Sequence, residues 1–162
     1  MKTTSIRRLL PLALLLSALT AAPPAIAEGG NKASSEQRAG RVTLVMPVVY
    51  ATTQHSRIDP QLKNLVRYLR NLRYTGYELI DTKRVVLAPK GSDSYTLAGN
   101  RKVRLDLLSK EEKRVRVRVQ ITGAKGMKLL DTTIWVNRNG TFIVAGPKHK
   151  NGVLVLPLTA RY

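Results

Sequence analysis

The stretch RVRVRVQIT, residues 114–122, decides the fold of this chain. Valine and isoleucine occupy every second position, and arginine, glutamine or threonine stands at the positions between them. Successive side chains of a β-strand point to opposite sides, so this alternation predicts a strand with one buried face and one solvent-facing face. The solvent-facing side is unusually basic, because it carries Arg114, Arg116 and Arg118.

A second strand is predicted just before it, at residues 102–108, with the polar segment SKEEK as the connection. If the two strands pair as a hairpin, the basic residues of both lie on one face. Arginine is the side chain best suited to bidentate contact with phosphate or carboxylate. We therefore predict an anion-binding surface that consists of Lys102, Arg104, Arg114, Arg116 and Arg118.

The same charges have a plainer interpretation. Charged outer faces commonly prevent edge-to-edge aggregation of β-strands, and in that case the surface serves solubility alone. Asp106 and Asp131 also fall on predicted strands, where a neighbouring arginine can neutralise each of them. The sequence leaves the choice between binding and solubility open.

Turn signals at short intervals divide the chain after residue 76 into strands. Gly99-Asn100 predicts a tight turn, and Asn139-Gly140 predicts a type I′ hairpin, which needs positive φ at both central residues. The second hairpin would bring Trp135 opposite Val144 and pack the indole in the core. Further strands are predicted at 77–81, 84–88, 94–97, 127–137, 142–145 and 153–159.

The chain before residue 76 predicts one strand and one helix. Residues 42–50 alternate as a first strand, in which Pro47 indicates an edge position or a bulge. Asp59 is placed as a helix N-cap, with Pro60 at the first helical position. One apolar stripe follows at helical spacing, and another face of the helix carries a second predicted basic patch. The stripe is Leu62, Leu65, Val66, Leu69 and Leu72, and the patch is Lys63, Arg67 and Arg70.

These elements predict an α+β fold. One N-terminal amphipathic helix is expected to pack on a mainly antiparallel β-sheet, or on a small β-sandwich meander of about seven to nine strands.

The first 27 residues have the three parts of a cleaved secretory signal peptide. Basic residues precede an apolar run, and Ala25-Ile26-Ala27 is a small-x-small cleavage site. The run is shorter than the ~20 residues that a bilayer-spanning helix needs, which favours a cleaved signal over an uncleaved anchor. No later stretch is apolar enough to span a membrane as a helix, so no transmembrane segment is expected after cleavage. We expect export to the periplasm or the extracellular space, a flexible leader at 28–40 and a single domain at 41–162.

Net charge limits the class of partner. The chain has 28 Lys and Arg against 10 Asp and Glu, and removal of Lys2, Arg7 and Arg8 with the signal leaves a net charge of +15. Such an excess favours polyanions, which for an exported protein means an anionic envelope polymer, a lipid headgroup or an acidic protein. Aromatic residues that could stack on bases are scarce, with one Trp, one Phe and six Tyr, so no specific nucleic acid is expected.

The sequence contains no catalytic or metal-binding motif. Cysteine is absent, and His55 and His149 have no partner at ligand spacing. Nucleophile and glycine-rich phosphate motifs are also absent, so we predict no catalytic residues, metal or cofactor. The preferred function is an exported, non-enzymatic binding module with a basic face for an anionic envelope component or an acidic partner. The alternatives are a structural or adaptor subunit of a bacterial envelope complex, and a hydrolase with an unrecognised site.

Overall fold

The computed structural model describes residues 40–162. The predicted signal peptide and residues 28–39 of the predicted leader lie outside this part of the chain. Strands make up 64% of the described residues and form two antiparallel sheets. They are β1 (Val42–Thr52), β2 (Gly76–Leu87), β3 (Ser92–Leu97), β4 (Arg101–Lys110), β5 (Arg114–Thr122), β6 (Lys128–Asn137), β7 (Thr141–His149) and β8 (Gly152–Arg161).

The two sheets pack face to face as a sandwich. The first sheet has the strand order β2-β1-β8-β7, and the second has the order β3-β4-β5-β6. Leu44 and Leu156 of the first sheet lie in one buried cluster with Leu105 and Val117 of the second. The alternation in β4 and β5 thus sends every second side chain into this shared core, which is the main source of stability in such a sandwich.

The predicted α+β fold is wrong, because residues 40–162 are mostly β, with a single helical segment of ten residues among them. That segment is a 3₁₀ helix, Pro60–Leu65, followed by one α-helical turn, Val66–Leu69. It begins as predicted, with Asp59 accepting a hydrogen bond from the Gln61 N–H at 2.8 Å. Within residues 40–162, no helix has the length and apolar character that crossing a bilayer requires.

The helical segment ends early because the carbonyl oxygen of Leu69 accepts hydrogen bonds from groups outside the α-helical pattern. The Leu69 carbonyl accepts hydrogen bonds from the Leu72 N–H at 2.9 Å and from the Tyr77 hydroxyl at 2.7 Å. In a longer helix that carbonyl would accept from the N–H four residues later. Leu62 and Leu69 are buried against Val49, Ala51, Tyr77 and Val155 in a small second cluster on the first sheet.

The Asn139-Gly140 turn does not close a hairpin. It connects β6 of the second sheet to β7 of the first, so Trp135 and Val144 are not paired. A type I′ turn needs positive φ at both central residues, but only Asn139, at 56°, has it. At Gly99-Asn100 both φ angles are positive, and β3 and β4 pair across that turn as predicted.

The first strand is central rather than at an edge. β1 pairs with β2 on one side and with β8 on the other. The prediction of an edge position for Pro47 is therefore wrong. Pro47 lies where the pairing of β1 with β8 is interrupted, between Val45 and Val49. The nearby register shift between β1 and β2 leaves the extra residue, Ile80, on β2 rather than at Pro47. The two segments predicted at 77–81 and 84–88 are one continuous strand, β2.

Gly152 lies where β8 passes closest to β1. A Cβ atom at this position would overlap the carbonyl oxygen of Ala51 and would lie 2.9 Å from Cε2 of Tyr50. We expect Gly152→Ala to lower the free energy of unfolding by about 1–3 kcal/mol, the usual cost of overpacking. Urea denaturation measures this change.

Gly123→Ala is the matched control, because its Cβ would meet nothing closer than 3.6 Å, the distance to Cδ1 of Leu129. We expect this variant to stay within about 0.5 kcal/mol of the parent. Equal urea midpoints for the two variants would contradict the close approach of β8 to β1.

Candidate functional site

The candidate site is the outer face of the second sheet, which we call the charged face. Its position follows from alternation, because the residues between its members, such as Val103 and Val117, are 0% exposed in the core. All five residues of the predicted anion-binding surface lie on it. Its charged and aromatic members are Lys102, Arg104 and Asp106 on β4, Arg114, Arg116 and Arg118 on β5, and Lys128, Asp131 and Trp135 on β6.

The predicted hairpin of β4 and β5 is confirmed, and its register sets the rows of the charged face. Lys102 is opposite Thr122, and Asp106 is opposite Arg118. A bulge between Leu107 and Ser109 then shifts the register, so that Arg116 lies opposite Ser109. The cations of the two strands are therefore distributed along the strands rather than placed opposite one another.

Asp131 organises the centre of the charged face. Its two carboxylate oxygens accept hydrogen bonds from Nε and Nη2 of Arg118, both at 2.7 Å. The Oδ2 atom also accepts from Lys128 Nζ at 2.9 Å and from Gln120 Nε2 at 3.1 Å. These donors, Arg118 first, hold the pKa of Asp131 far below its usual range, and the Asp131 carboxylate in turn raises the pKa of Arg118.

Asp106 neutralises a second arginine in the same way. Arg104 Nε donates to Asp106 Oδ1 at 2.8 Å, and Arg104 Nη2 donates to the Ser92 hydroxyl at 3.1 Å. Three of the five predicted anion-binding residues are thus paired with carboxylates: Arg104 and Arg118 at the centre, and Arg114, which pairs with Glu111. The centre of the charged face is close to neutral, and its uncompensated positive charge lies toward the two ends.

One end, which we call the tryptophan end, combines two arginines with an aromatic ring. The Cζ atom of Arg114 lies 4.2 Å from the centre of the Trp135 ring, and that of Arg116 lies 5.8 Å from it. Arg114 Nε is also 2.8 Å from Glu111 Oε2, in an exposed ion pair of the kind that contributes little stability. Trp135 is 39% exposed, so the prediction that it packs in the core is wrong.

The opposite end, which we call the lysine end, contains Lys102 and Lys128. Lys102 forms no ion pair with any residue that the structure describes. A recess of about 200 Å³ opens between these lysines, and none of its lining residues is acidic. Lys102 is paired with Thr122, which lies six residues along β5 from Arg116. A strand rises about 3.3 Å per residue, so the two ends are about 20 Å apart.

Sequence analysis did not place Lys128 or Trp135 on this face. Lys128 and Asp131 are three residues apart, so simple alternation puts them on opposite faces. A register shift between Ile121 and Thr122, beside the β5–β6 turn, brings both to one side. The pairing of Trp135 with Arg116 depends on the same turn, whose geometry the sequence GAKGM does not specify.

The second predicted patch is separate from the charged face. Lys63, Arg67 and Arg70 are all exposed, and they lie on the helical segment, which packs on the first sheet. Arg67 Nη2 donates to the Tyr68 hydroxyl at 2.8 Å, and the guanidinium lies 4.7 Å from the centre of that ring. This patch cannot add to the charged face, since the two belong to opposite sheets of the sandwich.

The two histidines have separate environments. Nε2 of His55 is 2.9 Å from Oε1 of Glu78, and the ring of His149 packs edge-on against Tyr50 at 5.7 Å. Burial lowers the pKa of His149, and the nearby charges of Lys150 and Arg101 lower it further. From residue 40 onward, no three His, Cys, Asp or Glu side chains are grouped closely enough to hold a metal ion.

Comparison of the chain with protein-family models, curated proteins and solved structures found no match. The function proposed below is therefore inferred from the chemistry of the described side chains.

The Asp131 network generates a prediction about pH. Because the pKa of Asp131 is lowered in the folded state, its network stabilises the fold above pH ~4, the ordinary value for Asp, and loses this contribution as the pH falls further. We expect the urea midpoint of the parent to fall with acidification below pH ~4 more steeply than that of Asp131→Asn.

Glu112→Gln removes one carboxylate that forms no ion pair in the described chain, and it controls for the change in net charge. If Asp131→Asn and the parent lost stability in parallel between pH 6 and pH 3, measured by urea denaturation at each pH, Asp131 would not anchor the network.

Proposed function

We propose that this chain is an exported, non-enzymatic binding module whose charged face binds an anionic polymer of the cell envelope. One observation carries the proposal: the charged-face cations that have no carboxylate partner in the described chain, Lys102 and Arg116, lie at its two ends, about 20 Å apart, with ion-paired arginines between them. The proposal assigns no catalytic residue.

The spacing of the two ends favours a polymer over a small anion. A single ion or one lipid headgroup contacts only the lysine end or only the tryptophan end. A chain with repeating negative charges contacts both, and its second contact is intramolecular once the first has formed. Two weak contacts then give a useful overall affinity without any new interaction.

The paired centre also favours a polymer. A compact anion at the centre would have to compete with Asp131 for Arg118, whose Nε and Nη2 atoms both donate to that carboxylate at 2.7 Å. Arg104 Nε is likewise held by Asp106 at 2.8 Å. A polymer can pass over these pairs and place its charges on Lys102 and Arg116. At the tryptophan end, the Trp135 ring holds the guanidinium groups of Arg114 and Arg116 beside it, at 4.2 and 5.8 Å from its centre, and so helps to position these cations for the polymer.

A pair of matched double variants tests this proposal. Lys102→Ser with Arg116→Ser removes one cation from each end of the charged face. Each exposed charge contact contributes up to about 1 kcal/mol, so we expect binding to a sulfated polymer such as heparin to weaken about tenfold. Salt elution from a heparin column measures the change, because salt screens such contacts.

Arg84→Ser with Arg161→Ser is the control, since both arginines are exposed on the outer face of the first sheet and the net charge changes equally. We expect this variant to elute close to the parent. If the two double variants eluted together, retention would depend on total charge alone and the proposal would be wrong.

Export is tested separately. Cleavage after Ala27 predicts that the protein recovered outside the cytoplasm begins at Glu28, which N-terminal sequencing or intact mass measures. Recovery of the uncleaved chain in the cytoplasm alone would contradict this part of the proposal.

A further inference from the structure

The recess at the lysine end has the chemistry of a defined anion subsite. Its lining comes from all four strands of the second sheet: Ser94 on β3, Lys102 and Arg104 on β4, Gln120 and Thr122 on β5, and Lys128 on β6. The pairing register places Ser94 beside Arg104, and Thr122 between Lys102 and Lys128. We infer that this recess binds a compact tetrahedral oxyanion, a phosphate-type group, carried by the polymer.

Three cations border the recess, and each keeps donors that the protein does not use. Lys102 forms no ion pair with a described residue, so its ammonium group has three N–H donors to offer. Lys128 uses one donor on Asp131. Arg104 uses Nε and one N–H of Nη2, which leaves three of its five N–H groups.

Two hydroxyl groups add to these donors. The Ser94 hydroxyl forms no hydrogen bond within the described chain, and that of Thr122 has only a long contact of 3.4 Å to the Lys102 carbonyl oxygen. Both hydroxyls can therefore rotate to donate to a ligand. The recess thus offers donors from the β3 side, the β4 side and the β6 side at once.

This arrangement of donors matches phosphate better than carboxylate. A carboxylate presents two oxygens in one plane, and it is best satisfied by a single planar fork of donors. A phosphate-type group presents three strong acceptor oxygens that diverge in space, with a charge of up to −2. Donors that converge from four neighbouring strands can reach all of these oxygens.

Asp131 positions one wall of the recess. Its carboxylate holds Lys128 Nζ at 2.9 Å and Gln120 Nε2 at 3.1 Å, and it is itself fixed by Arg118. A bound anion would lie near this carboxylate, but the bidentate pair with Arg118 compensates the negative charge. Lys102, which has no such carboxylate, is therefore the residue on which the affinity of the recess depends most.

Binding of small anions to the purified protein tests the inference. Backbone amide shifts are followed by NMR during titration with inorganic phosphate, and separately with acetate. We expect saturable shifts at Ser94, Gln120 and Thr122 with phosphate, and only weak, linear shifts with acetate. Lys102→Ala should raise the Kd for phosphate about tenfold or more, because a charge-assisted contact is lost.

The controls separate the recess from general charge. Arg84→Ala removes an exposed cation from the outer face of the first sheet and should leave the phosphate Kd unchanged. Lys102→Arg keeps the charge and should retain most of the affinity. Linear shifts with phosphate, or equal losses in Lys102→Ala and Arg84→Ala, would overturn the inference.

The biological source of the group rests on the proposed function, and two further probes address it. Short-chain polyphosphate represents a polymer, and vesicles of phosphatidylglycerol in phosphatidylcholine represent a lipid headgroup. We expect polyphosphate to bind more tightly than inorganic phosphate, and the vesicles to show no such increase in affinity. An increase in affinity for the vesicles alone would overturn the polymer as the source.

The two proposals can fail separately. Phosphate could fail to saturate the recess while Lys102→Ser with Arg116→Ser still lowers heparin retention relative to its control. In that case the inferred phosphate subsite is wrong, and polymer binding stands. If phosphate binds through Lys102 while heparin retention depends on total charge alone, the inferred phosphate subsite stands and the proposed function is wrong.

Discussion

The fold and the charged face both depend on one constraint, the alternation of apolar and polar side chains along β5 and along β4 as far as Leu107. The inward members, such as Leu105 and Val119, are 0–1% exposed in the core between the sheets. Burial of these side chains fixes the register, since a slip of one residue would send the arginines into the core. The same burial that stabilises the sandwich therefore holds the cations on its outer surface.

Two carboxylates then turn a uniformly basic strand pattern into a divided surface. Asp131 pairs with Arg118 and Lys128, and Asp106 pairs with Arg104. With Arg114 paired to Glu111, Lys102 and Arg116 are the charged-face cations without a carboxylate partner in the described chain. The separation of about 20 Å between them links the sheet geometry to the proposed polymeric ligand.

The sequence predicted much of this surface, but not its division. Period two in residues 114–122 placed the arginines outside, and the β4–β5 hairpin followed from the short SKEEK connection. The positions of Lys128 and Trp135 depend on a register shift beside the β5–β6 turn, which no local pattern specifies. The predicted helix was too long, because the leucine spacing does not reveal that the Tyr77 hydroxyl donates to the Leu69 carbonyl oxygen. The hairpin predicted at Asn139-Gly140 was wrong, because Gly140 does not adopt the positive φ that a glycine permits.

In the proposed function, one ligand spans both cationic ends of the charged face. The most direct test is the affinity for sulfated oligosaccharides of increasing length, measured by calorimetry at fixed ionic strength and expressed per charge. A steep gain is predicted once the oligomer can reach across the ~20 Å from Lys102 to Arg116, because the second contact becomes intramolecular. An affinity per charge that does not change with length would contradict the account.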